Sequence, residues 1–262
     1  MLLYTYLTKM KKILITCLLT ICVVFAASAE SNGTKNVKDC SEGFNRASFK
    51  FNQGLDKAII RPIAIGYRKL PRGIRTITSN FLNNLSNLVT IPNNALQGDL
   101  GKAGNNLARL GVNSTVGILG MFDVAKGMGF EKFEKEDYGQ TLGVMGSGPG
   151  CYLVLPILGP STARDTVGTV VGIVGGDPWY NITVKNDTQY FKDSDYYITK
   201  GTGGVDFRAK NLEAIDNLEE NSMDFYASVK SLYLQDRQQK ILNSKQTTRT
   251  QDDGDWDEVS SD

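Results

Sequence analysis

Apolar residues recur at helical spacing through most of the chain. In SEGFNRASFKFNQGLDKAII, Phe44, Ala47, Phe51, Leu55, Ala58 and Ile59 fall three and four apart, the period that lines one face of an α-helix. Ser41 stands at the N-cap position. Pro62 is expected to interrupt or kink this helix, because it has no N–H to give. After Pro71, the residues Ile74, Ile77, Phe81, Leu85 and Leu88 make a second stripe. Shorter helices are predicted around Leu96, Leu100, Leu107 and Leu110, in a stretch dense in Gly and Asn. Residues 127–150 are Gly-rich around the charged insert EKFEKEDYG and read as a long loop. TVGTVVGIVGGDPWYNITV reads as a Gly-rich helix or a strand pair, with helix preferred. Beyond Lys200, the residues Leu212, Ile215, Leu218, Phe225, Val229, Leu232 and Ile241 keep helical spacing, as one long helix or a helical hairpin. The pattern predicts a mostly α fold whose short helices are joined by Gly, Pro and Asn.

YLVLPILGPSTARD, Tyr152 to Asp165, breaks that pattern. It is apolar up to Leu158, interrupted by Pro156, Gly159 and Pro160, and too short to span a bilayer as a helix, which takes about 20 apolar residues. Two readings stand: a buried, turn-rich core segment, or apolar backbone that meets something greasy. The stripe from Phe44 to Ile60 is open in the same way. It is either core, or a helix lying in a membrane interface with its aromatics down and Lys50, Lys57 and Arg61 up.

The N-terminus does not belong to the fold. KMKKILITCLLTICVVFAASAE has a basic start, an apolar run and an Ala27-Ser28-Ala29 cleavage signal, the form of a secretory signal peptide. The expected organisation is a signal peptide over 1–29, a flexible leader over 30–39, a helical domain over 40–243 and a disordered acidic tail over 244–262. With 41 % hydrophobic residues the chain can build a core. Its net charge of +1 gives no electrostatic reason to bind nucleic acid.

The chain contains no His. A Ser-His-Asp or Cys-His nucleophilic pair is therefore excluded, as is a catalytic zinc site built on imidazole. GVMGSGPG (143–150) lacks the Lys-Ser/Thr ending of a phosphate loop. Glu134, Glu136 and Asp137 alternate with Lys132 and Lys135, as on a solvated face. Asp193–Asp195 lacks the Gly and terminal Glu of a calcium loop. No cofactor and no metal is expected. Cleavage leaves Cys40 and Cys151 in an oxidising compartment, either paired or as two buried thiols.

SEGFNRASFKFNQGLDKAIIRPIAIGYRKLP resembles the start of the MlaA (VacJ) family of Gram-negative bacteria, which shows D-P-x-E-G-F-N-R and then R-P-x-A-x-x-Y. Three more segments match in order: SNFLNNLSNLVTIPNNALQGD, DYGQTLGVMGSGPGCYLVLPILGPSTARDTVG and RAKNLEAIDNLEENSMDFYASVKSLYLQDR. The resemblance covers about residues 39–243. It implies a ring-like bundle of short amphipathic helices with Gly/Pro-rich loops around an amphipathic channel. It also implies a non-enzymatic role. Mislocalised outer-leaflet phospholipid would pass through the channel to a soluble periplasmic lipid carrier, which preserves outer-membrane lipid asymmetry. The implied place is the periplasmic side of the outer membrane, in its inner leaflet and beside a porin trimer. The alternative is a structural envelope scaffold associated with porins; a His-free lipid hydrolase stands third.

In that frame Gly43, Phe44, Asn45, Arg46, Phe49 and Phe51 form the motif of the first interfacial helix. The channel-wall candidates are Gly148, Pro149, Tyr152, Leu153, Leu155, Pro156, Leu158, Gly159 and Pro160, with Arg164 and Asp165 as polar groups near the mouth. Two departures from the family pattern matter. The segment LTIC has Ile21 where a lipobox wants a small residue, and apolar residues continue after Cys22; cleavage after Ala29 without a lipid anchor is expected. Cys40 takes the place of the family's Pro, and Cys151 falls inside its Gly-Pro-Tyr segment, which strengthens the case for a Cys40–Cys151 disulfide.

Overall fold

The computed structural model of the chain describes residues 37–185 and 190–253, and among these the fold is almost entirely helical. Helix α1 spans Glu42–Leu55. Its continuation does not break at Pro62. A wider turn over Asp56–Ile60 leads straight into α2 (Arg61–Arg68), with Pro62 in the first turn of α2. The wider turn absorbs both the missing N–H and the clash of the proline ring with the preceding turn.

Helices α3 (Arg72–Leu96) and α4 (Leu100–Thr115) form an antiparallel hairpin. The chain reverses at Gly98, whose φ of 85° suits glycine. The Asp99 carboxylate then accepts the Lys102 N–H and caps α4. The loop expected over 127–150 is interrupted by α6 (Tyr138–Val144), which follows the short α5 (Val124–Gly127). Asp137 caps α6 by accepting the Gln140 N–H. The Asp-x-x-Gln signal was present in sequence, but Gly139 and Gly143 masked it, since glycine disfavours helix.

Those glycines serve contact. A Cβ on Gly168 would lie 2.3 Å from the Gly139 nitrogen, and one on Gly139 would lie 2.5 Å from Asp165 Oδ1. Helix α6 therefore meets α7 (Ala163–Val171) backbone to backbone. Before α7, YLVLPILGPST folds as an antiparallel pair, β1 (Tyr152–Leu155) and β2 (Gly159–Thr162), with Tyr152 opposite Thr162 and Leu155 opposite Gly159. The helix preferred for the segment after Asp165 appears as α7, a wide turn over Gly172–Gly176 and the short α8 (Pro178–Tyr180).

The C-terminal helical run is cut into α9 (Asp193–Lys210), α10 (Leu212–Asn221) and α11 (Phe225–Asp253). Helix α11 extends into the segment from 244 that reads as a tail; residues 254–262 lie outside the described residues, as do 1–36. Among the described residues, an apolar core cluster joins Tyr152 and Val154 of β1 to Tyr226 and Leu234 of α11, with Val37, Phe49 and Tyr233 packed against it.

Gly168→Ala is expected to destabilise the fold by about 1–3 kcal/mol through overpacking. Gly43→Ala, in open space on α1, should leave stability unchanged or slightly raised. Denaturant unfolding of the two variants checks the contrast.

Candidate functional site: an apolar exterior over a polar interior

The stripes that mark the helices in sequence do not point inward. Phe44 and Phe51 of α1 are each 56 % exposed, and its buried residues are Asn45 and Ser48. In α2 and the turn before it, Ile59 and Ile63 are exposed. In α4, Leu100 and Leu107 are 70 % and 59 % exposed, while Ala103, Asn106, Arg109 and Asn113 are buried. Helix α3 repeats the inversion: its buried face is Asn84, Asn87, Thr90, Asn93 and Asn94. The α4–α5 connection adds Val116, Ile118, Leu119 and Phe122 to the exposed apolar surface. Ile118 and Leu119 hold positive φ there, at 51° and 56°, a conformation that is strained for apolar L-residues.

The interior is held by hydrogen bonds. Asn106 Nδ2 donates to Asn94 Oδ1 (2.9 Å), and Asn84 Nδ2 donates to Ser114 Oγ (2.9 Å). Thr141 Oγ1 donates to Asn93 Oδ1 (2.6 Å). Gln97 and Gln140 both donate to Glu136 Oε2, at 3.1 and 2.8 Å. Burial pushes the Glu136 carboxyl above its ordinary value, against these donors. Arg109 clamps Asp123 with contacts of 2.8 and 2.9 Å. Sequence reasoning missed this stripe. Its signal was present as Asn and Gln at spacings of three and four, but the apolar stripe was taken to define the helix.

The sequence-predicted residues divide into three groups. Exposed apolar positions are Phe44 and Phe51, with Leu158 at the hairpin tip beside Ile157. Gly43 and Pro156 are also exposed, while Gly148, Pro149, Leu153, Leu155, Gly159 and Pro160 are half-buried. Positioning residues come next. The Asn45 side chain spans β1, donating to the Tyr152 carbonyl (3.0 Å) and accepting the Val154 N–H (2.9 Å). One turn pair further on, Asn52 does the same for the Leu155 carbonyl and the Ile157 N–H. Helix α1 thus acts as a strand partner for the hairpin edge. Arg46 ties α1 to Asp224 (2.7 Å) and stacks over the Tyr226 ring. Phe49 packs edge-on against Phe225 and Tyr226, on the protein side. Cys40 and Cys151 are joined as a disulfide with Cα atoms 5.4 Å apart.

The third group corrects the sequence reading. Tyr152 is fully buried and lines no surface. Arg164 and Asp165 do not stand at a mouth. Both are buried, because they belong to the joint between α6, α7 and α11. Arg237 donates to Asp137 (2.6 Å) and Asp165 (2.8 Å), Tyr233 Oη to Asp165 Oδ2 (2.7 Å), and Arg164 Nε to Asp165 Oδ1 (3.1 Å). Burial alone would raise the Asp165 pKa, but the Arg237 and Arg164 charges and these donors overcome it and hold it at about 2.

No described helix is long and apolar enough to cross a membrane. No cluster of metal-ligating side chains occurs among the described residues.

The model of the MlaA lipoprotein family matches residues 37–240. The chain belongs to the MlaA lipoprotein family. It is 30 % identical over 240 residues to the intermembrane phospholipid transport system lipoprotein MlaA of Haemophilus influenzae, covering 89 % of this chain and 92 % of the relative. An uncharacterised protein of Rickettsia bellii is 32 % identical over 223 residues, with 84 % of each chain covered. A solved structure described as the structural basis for maintenance of bacterial outer membrane lipid asymmetry matches with a TM-score of 0.64 and 31 % identity. It covers 78 % of this chain and 99 % of that chain. The mostly helical architecture expected from the MlaA resemblance is the one found. Cys22, the expected cleavage after Ala29 and the expected absence of a lipid anchor fall outside the described residues.

Asp165 is held below its unfolded value. Its contribution of about 2 kcal/mol is therefore complete above about pH 4 and lost as the pH falls towards 2. Asp165→Asn should flatten that part of the stability–pH curve, measured by urea unfolding between those limits.

Proposed function

We propose that this MlaA-family chain is a phospholipid transport component of the outer membrane that removes mislocalised outer-leaflet phospholipid. The observation that carries the reading is the inversion of its helices. An apolar exterior around a hydrogen-bonded interior suits a hydrocarbon solvent, where burying leucine gains nothing and internal hydrogen bonds hold helices together. No described helix is both long and apolar enough to span, and in this reading the amphipathic helices lie in the plane of one leaflet, the inner leaflet of the outer membrane, with Phe44, Phe51, Ile59 and Ile63 in the acyl layer.

A lipid route also needs polar wall for the head group. Lys135 supports one: it is open to water, yet protein around it, with Lys200 and Lys240 near, pushes its ammonium below the ordinary value. The apolar wall would come from the half-buried segment Gly148–Gly150 and the hairpin tip at Ile157 and Leu158. The chain guides lipid passively and does no covalent chemistry. A porin trimer beside it and a soluble periplasmic lipid carrier below complete the route.

Leu158→Asp places a charge at the exposed tip without touching the Asn52 contacts. Outer-leaflet phospholipid should rise at least severalfold at unchanged protein level. Unchanged outer-leaflet phospholipid with normal membrane association would favour the envelope scaffold. Phe51→Asp should move the protein out of the membrane fraction.

A further inference from the structure

We infer that the concavity at the start of α4 is a binding site for the head group of a zwitterionic phospholipid, one that carries both a phosphate and an ammonium. The inference rests on the lipid-transport reading above. The concavity has a volume of about 390 Å³ and is lined by Asp99, Lys102, Asn105, Met128, Phe130 and Glu131, with two glycines, within the range of small-molecule sites.

Its floor holds a carboxylate oxygen without a hydrogen bond. Asp99 is 1 % exposed; Oδ1 accepts the Lys102 N–H, whereas the buried Oδ2 makes no hydrogen bond. The nearest cation is Lys102 Nζ at 3.8 Å, which is also 3.9 Å from Glu134 Oε2. A buried carboxylate oxygen left in this state is costly. A ligand ammonium entering the concavity supplies the missing donor, with the Phe130 ring in the lining, a residue type that attracts cations. Lys102 is then free to pair with the phosphate of the same head group, beside the positive end of α4.

The wall is fixed rather than fluid. Asn105 Nδ2 donates to the Glu131 carbonyl (3.4 Å), and the Glu131 N–H donates to Asn105 Oδ1 (3.2 Å). The apolar side is present too. Met128 is 63 % exposed at the lining, and Leu100, between Asp99 and Gly101, is 70 % exposed.

The test uses the full exported chain in detergent and three probes: dihexanoyl phosphatidylethanolamine, dihexanoyl phosphatidylglycerol and the tail-free glycerophosphoethanolamine. Calorimetry should give at least tenfold tighter binding of the ethanolamine lipid than of the glycerol lipid. Asp99→Asn keeps the helix cap and removes the charge; it should erase that preference. Lys102→Met should weaken both lipids. The tail-free probe should bind more weakly than the lipid but with the same dependence on Asp99. Equal binding of both lipids by the parent would overturn the inference, as would a preference that survives in a folded Asp99→Asn variant. If that variant melts early, Asp99→Ser, which also keeps a capping oxygen and removes the charge, gives the same readout, and an unchanged preference there overturns the proposal. A tail-free probe as tight as the lipid would overturn lipid as the ligand. Phospholipid that still co-purifies with a variant lacking the preference leaves the transport reading intact. A parent that carries and binds no lipid fails both.

Discussion

The interior of this protein is held by amide side chains where a water-soluble helical bundle would place leucine. Asn94 to Asn106 and Asn84 to Ser114 close the α3–α4 hairpin, and Gln97 and Gln140 converge on Glu136 across to α6. In water such a core would gain little, because each bond replaces one to solvent and nets about 1 kcal/mol. Against lipid the balance changes. Polar groups have no solvent outside, so they turn inward and find each other. The apolar faces are left for the exterior. The exposed Phe44, Phe51, Leu100 and Leu107 follow from that arrangement rather than opposing it.

A second, smaller construction fixes the hairpin that sequence reading singled out. Asn45 and Asn52, seven residues apart on α1, present their amides to the edge of β1 as a neighbouring strand would. The disulfide from Cys40 to Cys151 joins the same two pieces just before each begins. Helix α11 closes the third side through Arg46–Asp224 and the Tyr152–Tyr226 contact. The tip at Ile157, with φ of 68°, is therefore a projecting apolar point on a braced base.

Much of this was legible in sequence. Periodicity located α1, α3, α4 and the C-terminal helices, and the ordered motifs led to the right family. What periodicity does not contain is the sign of the face. A stripe at helical spacing reads the same whether it meets core or lipid, so the Asn-lined faces of α3 and α4 went unread. Pro62 reads as an interruption or a kink because sequence does not show that a wider turn can absorb it. Helix α6 was hidden by Gly139 and Gly143, whose purpose is visible only once α7 and α11 are beside them. Arg164 and Asp165 read as a polar mouth because the partners of Asp165, Tyr233 and Arg237, are distant in the chain.

The central claim is that the exposed apolar faces meet acyl chains. The most direct measurement is photolabelling in outer-membrane vesicles with a phospholipid that carries a diazirine in its tail, followed by peptide mapping. The account predicts labels on α1 and α2 at Phe44, Phe51, Ile59 and Ile63, on Leu100 and Leu107 of α4, and none on the stripe from Asn84 to Asn94. Labelling absent from α1 and α4 in membrane-associated protein, or concentrated on the asparagine face, would contradict it.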